Sequence, residues 1–289
     1  MTKKGTCNSS RDDNKYTCYS DESLIKMKKY WNARHPDEKI ISDKPREIWK
    51  SLTLYTKGLC SNEKCWLRQK FMANKINTEL STYTFAPSAP DKWKKNPTEW
   101  LTSVDINKVM KQWERRYKDF IFIGPSPLDF DSPSQYIQDD NVCVWPELCN
   151  FELSKLLAKN KTKIGVIFNL DPHYKEGSHW VALYIDVNRG VIFYFDSNGD
   201  KTPKEIEKLI TKIKGQGKNI ILKDGEGIKF DVMENHPKQH QRENTECGIY
   251  TIYFITELLS GNRTFEYFKT VTIPDKDMET LRKKYFSLD

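Results

Sequence analysis

The chain has no run of about 18 apolar residues, so nothing in it is long and apolar enough to cross a membrane as a helix. Its basic start, Met1-Thr2-Lys3-Lys4-Gly5, is followed by no apolar stretch, which argues against a secretory signal. There is no internal repeat and no low-complexity tract. Cysteine is scarce and odd in number: Cys7, Cys18, Cys60, Cys65, Cys143, Cys149 and Cys247. Without a signal, that count argues for a reducing compartment and mostly free thiols. The first four could form a metal site of the type C-x10-C…C-x4-C. The second gap exceeds the x2 usual for zinc, which leaves unpaired thiols or a disulfide as the favoured readings, with no metal and no other cofactor expected.

What is present suits one large domain, or one domain with a smaller appendage, in 289 residues. Aromatic residues make up 12% of the chain, eight of them Trp, so there is ample material for a core. Charged residues make up 30%, which solvates the surface. The formal net charge of +7 is spread along the chain; it permits an acidic partner, nucleic acid included, and equally describes a solvated face.

Residues 22–33 carry apolar positions at helical spacing, with Asp21 as a candidate cap and His35-Pro36 as the stop. Pro45 to Leu52 reads as a second helix with proline in its first turn, and Cys65 to Met72 as a third. Phe85-Ala86-Pro87-Ser88-Ala89-Pro90 is a linker. Residues 1–97 thus form a helical arm, and residues 98–289 a second domain. There, Asp105 to Phe120 is an amphipathic helix with Ile106, Val109, Met110, Trp113 and Tyr117 on one stripe. Residues 121–125 are a short buried segment, 129–140 a polar loop, and 145–157 contain a helix. Ile164 to Asn169 reads as a strand. Trp180 to Val187 and Val191 to Phe195 form a hairpin turned at residues 188–190. A helix from Pro203 to Ile213, short strands near 220–222 and 228–232, and a last helix from Asp275 to Tyr285 complete an α+β domain.

Within it, Gln241-Arg242-Glu243-Asn244-Thr245-Glu246-Cys247-Gly248 ends a polar loop and opens an apolar helix, with Thr245 a plausible cap and Gly261 a plausible stop. A thiol in a first helical turn meets free N–H groups and the positive end of the macrodipole, which favours the thiolate that attacks carbonyls. His179 begins one strand of the hairpin and Asp196 ends the other, so folding brings them to the same edge of the sheet. An acid beside an imidazole fixes its tautomer and steadies its cation. Such an imidazole can take the proton of a thiol. Gln241 can donate to a developing oxyanion, with the Cys247 amide as second donor. Asp186 is an alternative orienting acid, although it lies at the far end of its strand from His179.

Ser178-His179-Trp180, Tyr194-Phe195-Asp196-Ser197 and Gln241-x5-Cys247-Gly248 resemble the signature of the SUMO-deconjugating cysteine proteases and the adenovirus maturation protease, over about residues 164–260. Asp105 to Trp113, Pro127-Leu128-Asp129-Phe130, Gln239 to Arg242 and the helical arm are similar to the polyprotein-processing proteases of African swine fever virus and other large DNA viruses. That relative has Asn at the orienting position, where this chain has Asp196. The resemblance implies a papain-like or adenain-like fold with a mixed central sheet, and a thiol endopeptidase using Cys247, His179, Asp196 and Gln241. It also implies cleavage after Gly-Gly in viral precursors, Trp180 covering a channel that admits only glycine, Asn244 at the substrate, and action in the virion and the cytoplasmic viral factory. The rival activities are an isopeptidase that removes SUMO-like or ubiquitin-like proteins from conjugates, and a catalytically inactive binding module on the same fold.

Overall fold

The structure is a computed structural model; it describes the chain except residues 1–3, 12–14, 73–79, 81, 135–141, 222–224 and 289. It divides into two compact units, one of residues 1–91 with 282–289 and the other of residues 92–281. The sequence alone suggests one boundary, between 97 and 98. The last residues instead pair with the expected linker: Ala89 N–H donates to Ser287 O at 2.7 Å, and Ser287 N–H to Pro87 O at 2.8 Å.

The first unit is built on α1 (Asp21–Arg34) and α2 (Pro45–Tyr55). The cap of α1 is Ser20, whose side chain accepts from Ser23 N; Asp21 lies inside the first turn, where its charge suits the macrodipole. The third expected helix, 65–72, is a 3-10 turn over Glu63–Arg68, capped by Asn62. Leu24, Met27, Trp31, Ile48, Leu52, Trp66, Phe71 and Phe85 form the core. Glu63, fully buried, accepts from Cys18 N at 2.9 Å, Trp49 Nε1 at 3.0 Å and Thr17 Oγ1 at 2.5 Å, so its carboxylate replaces lost water with three donors.

The cysteines reverse the expectation of mostly free thiols and take the other reading, disulfides in the arm. Cys7–Cys18, Cys60–Cys65 and Cys143–Cys149 are disulfides with Cα atoms 5.1, 5.5 and 6.6 Å apart. The four thiols of the arm are consumed in two local pairs, so the zinc arrangement does not form. Cys247 alone is free, and it is buried.

The second unit is a five-stranded mixed sheet in the order β1-β2-β3-β4-β5. The strands are β1 (Phe120–Pro127), β2 (Lys163–Asn169), β3 (Trp180–Asp186), β4 (Val191–Phe195) and β5 (Asp231–Glu234). β1 runs parallel to β2 and β4 to β5; the β2–β3 and β3–β4 pairs are antiparallel. Every residue of β3 and β4 is buried, because helices cover both faces. On one face lie α3 (Ser103–Arg116) and α7 (Cys247–Ser260); Phe254 of α7 stacks on Phe195 with centroids 4.6 Å apart. On the other, α6 (Lys204–Lys218) packs Ile206, Leu209, Ile210 and Ile213 against Val166, Leu183, Ile192 and Tyr194.

Several elements differ from their sequence reading for visible reasons. The helix expected over 145–157 is two, α4 (Pro146–Cys149) and α5 (Leu153–Ala158). Between them Gln216 takes Leu153 N–H at 2.7 Å and gives its amide to Phe151 O at 2.7 Å, satisfying backbone that a continuous helix would pair internally. Ile221 makes only an isolated bridge to Gly227; Leu222, the end of the expected strand, lies outside the described residues, as do 135–140 of the expected 129–140 loop. β5 begins at 231, after the buried Ile228 and Phe230. The chain closes with α8 (Phe265–Thr270) and α9 (Asp275–Tyr285).

Candidate active site

α7 places the thiol. Twelve of its residues are buried, so the helix is apolar all round and held from every side. Its N-cap is Glu246, not Thr245, and Gly261 in the left-handed conformation ends it as expected. Cys247 occupies the first helical position, 2% exposed.

The hairpin places the imidazole and the acid. Its register, Asp186↔Val191 through Ala182↔Phe195, carries the chain so that His179 Nε2 lies 2.7 Å from Asp196 Oδ1. The Cys247 side chain also acts on this ring and favours its protonated form. Burial alone would lower the His179 pKa; the bonds to Asp196 and Cys247 and their charges overcome it and raise it from 6.5 to about 10. The ring therefore carries a proton at neutral pH. Asp186 is not near this chemistry: it accepts from Arg189 N at the turn end of the hairpin.

A second layer, invisible in the sequence, fixes these groups. Asn235, 1% exposed, accepts from Asp196 N at 2.9 Å and donates to Asp196 O at 2.7 Å, holding that backbone from both sides. It follows β5 directly, so the β4–β5 pairing delivers it. Asn169 at the end of β2 accepts from Asp171 N and Ser178 N, which pins the loop leading into His179. Asp275 Oδ2 accepts from Arg242 N at 2.9 Å and Glu243 N at 3.1 Å, while its Oδ1 takes Tyr250 OH at 2.9 Å. The loop before Cys247 is thereby tied to α7. His240 donates from Nε2 to Phe268 O and accepts Ile273 N at Nδ1; burial lowers its pKa to about 4, so it is neutral and structural.

Gln241 is 3% exposed on this loop. Trp180 is 8% exposed, and its Nε1 donates to Leu101 O at 3.0 Å. Leu101 in turn lies against the helix start: a Cβ on Gly248 would meet its side chain at 3.0 Å. Asn244 is exposed on the loop, three residues before the thiol. The arrangement is a wall of Leu101 and Trp180 beside a sulfur and an acid-braced imidazole.

A thiol that exchanges a proton with such an imidazole is equipped for acyl transfer, the chemistry of cysteine proteases. The chain belongs to that class, as a member of the Ulp1 protease family: the model of that family's C-terminal catalytic domain matches residues 150–289. Among its relatives, a putative thiol protease of Acanthamoeba polyphaga mimivirus is 31% identical over 294 residues, 95% of this chain and 90% of the relative. A SUMO-1 cysteine protease of African swine fever virus is 28% identical over 217 residues, 74% of this chain and 75% of that one. The crystal structure of an African swine fever virus protease shares the fold at TM-score 0.65 and 20% identity, covering 100% of this chain and 98% of the other.

Proposed function

We propose that this viral-type cysteine protease is an endopeptidase that cleaves after Gly-Gly in structural precursors as virions mature. Cys247 sulfur attacks the scissile carbonyl carbon, and the carbonyl π electrons move to oxygen. Gln241 and the Cys247 amide donate to that oxyanion. The C–N bond then breaks as His179 passes its proton to the departing amine, leaving a thioester on Cys247. Water, deprotonated by His179, attacks the thioester and releases the acid. Asp196 keeps the ring oriented throughout.

The observation that carries the Gly-Gly assignment is the pinned indole. Trp180 is held on Leu101 O, and Leu101 rests on Gly248 beside the nucleophile, which braces the wall next to the sulfur. A slot of that kind favours residues without a Cβ. Asn244 is the polar contact at its rim. Residues 1–97 serve as the docking arm, and the sites of action are the virion and the cytoplasmic viral factory. The net charge of +7 is read as a solvated surface, with no nucleic-acid role assigned.

The deciding experiment offers the full chain two substrates, a Gly-Gly-Xaa peptide from a virion precursor and a SUMO conjugate. Faster turnover of the peptide, with none by Cys247→Ala, supports the proposal. Faster turnover of the conjugate assigns deconjugation instead. Failure of Cys247 to react with a glycine-aldehyde probe would mark a binding module.

A further inference from the structure

The side-chain amide of Gln241 has only one way to lie. Its Nε2 is 2.6 Å from Glu243 O, and a carbonyl only accepts, so the nitrogen donates there. Its Oε1 is 2.8 Å from Ser197 Oγ, so the hydroxyl must donate. An amide nitrogen carries two hydrogens; one is committed to Glu243 and one is left for a substrate oxygen. Ser197 also holds the backbone, for its carbonyl accepts from both His240 N and Gln241 N at 2.9 Å. It is fully buried and directly follows Asp196, whose carboxylate holds His179.

We propose that Ser197 is a positioning residue of the reaction: its hydroxyl aims the Gln241 amide at the oxyanion, and Asp196-Ser197 fixes base and oxyanion donor to one dipeptide. The proposal rests on reading Gln241 as the oxyanion donor. Without the hydroxyl, Oε1 is a buried acceptor with no partner, and the amide is free to rotate toward other donors. An oxyanion donor works only when aimed at where charge develops. The coupling also explains why the two residues are adjacent. Any shift of the end of β4 moves the imidazole and the amide together.

The test compares Ser197→Ala, Gln241→Ala and the double variant in the full chain. Two rates are read, hydrolysis of a fluorogenic Gly-Gly peptide amide and alkylation of the protein by iodoacetamide. Alkylation displaces iodide from a tetrahedral carbon and builds no oxyanion. Because Cys247 is the one free thiol, it reports on that sulfur and its imidazole alone. Ser197→Ala should lower kcat about 10- to 100-fold, with KM and the alkylation rate changed less than about 2-fold. The double variant should be no slower than Gln241→Ala, since both changes remove one interaction. Unchanged kcat in Ser197→Ala overturns the proposal. So does an alkylation rate that falls as far as kcat, which would place Ser197 behind the triad or the fold. Multiplied losses in the double variant overturn it as well. Normal kcat in Gln241→Ala, with a loss in Ser197→Ala, would instead remove the oxyanion reading itself and this role with it.

Discussion

The two units of this chain solve the problem of stability by different means. The first unit has one small cluster around Trp31 and Trp66, a buried carboxylate satisfied by three donors, and two disulfides that close short loops. The second has a sheet buried on both faces, with β3 and β4 wholly enclosed. A small core gives little net stability, and cross-links supplement it. A two-sided sheet buries far more apolar surface; the second unit's disulfide, Cys143–Cys149, lies outside β3 and β4, and the sheet's rigidity is what a proton-transfer site demands, since small misplacements of reacting groups cost much of the rate. The candidate catalytic groups all lie on the second unit's elements.

The sharpest division concerns activity. Cys247→Ala should abolish peptide hydrolysis, and His179→Ala should come close, each losing at least about four orders of magnitude in kcat/KM. Both variants should keep the far-ultraviolet circular dichroism of the parent. Asp196→Asn should retain more activity than either, because an amide still holds the ring, though without the charge. A His179→Ala enzyme of near-normal kcat/KM would sink the mechanism.

Much of that constellation was legible in the sequence. The thiol stands at a change from polar to apolar residues, and a hairpin brings the far ends of its two strands to one edge of the sheet. That is why His179 and Asp196 could be paired across 17 positions. The supporting groups were not legible. Asn235 reaches Asp196 only through the parallel pairing of β5 on β4, and Asp275 reaches Arg242 and Glu243 from beyond α7; nothing local in either neighbourhood marks them. A disulfide in the arm was one of the open readings, but the pairings, and the bond between Cys143 and Cys149, were not legible, for a related reason. Spacing alone does not say whether two Cα atoms come within bonding distance, and an odd count with no signal pointed the other way. Thr245 missed the cap by one residue, within the ordinary uncertainty of helix ends.

Cross-linking distinguishes the units next. Chain entropy assigns about 2–3 kcal/mol to closing loops as short as those of Cys7–Cys18 and Cys60–Cys65, for each bond. A mild thiol reductant should therefore speed amide exchange in α1 and α2 by tenfold or more, by about the Boltzmann factor of that loss, and leave β3 and β4 nearly unchanged. Equal acceleration in both would show that the units open together and would erase the contrast.

Packing gives the converse test. Gly165 in β2 has no room for a methyl: a Cβ there would meet Phe120 Cζ at 2.9 Å and Ile255 Cγ2 at 3.1 Å. Gly165→Ala should cost about 1–3 kcal/mol in denaturant unfolding, the range for overpacked cores. The loss should appear with or without reductant, since the strain lies in the sheet. A neutral substitution would mean that the sheet unit yields more readily than its burial suggests.

The smallest effect concerns protons, and its sign can be worked out. His179 has its pKa raised to about 10, so the proton it gives to the leaving amine is present at neutral pH and lost as pH rises through that value. The alkaline limb of kcat/KM should follow. In Asp196→Asn the charge that helps hold the proton is gone, and the limb should move down by about one unit. Stability follows the same linkage. A pKa above the unfolded 6.5 gives a contribution fully present below 6.5 and lost toward 10. His240, lowered to about 4 by burial, acts oppositely: unfolding lets it take a proton, so stability falls as pH drops from 6.5 toward 4. The catalytic unit is thus bounded on its acid side by a histidine that must stay neutral and on its alkaline side by one that must stay charged. Thermal unfolding of wild type and His240→Gln between pH 4 and 7 separates the two, because only the acid-side slope should flatten in the variant. An unchanged slope would show that the acid limit is set elsewhere.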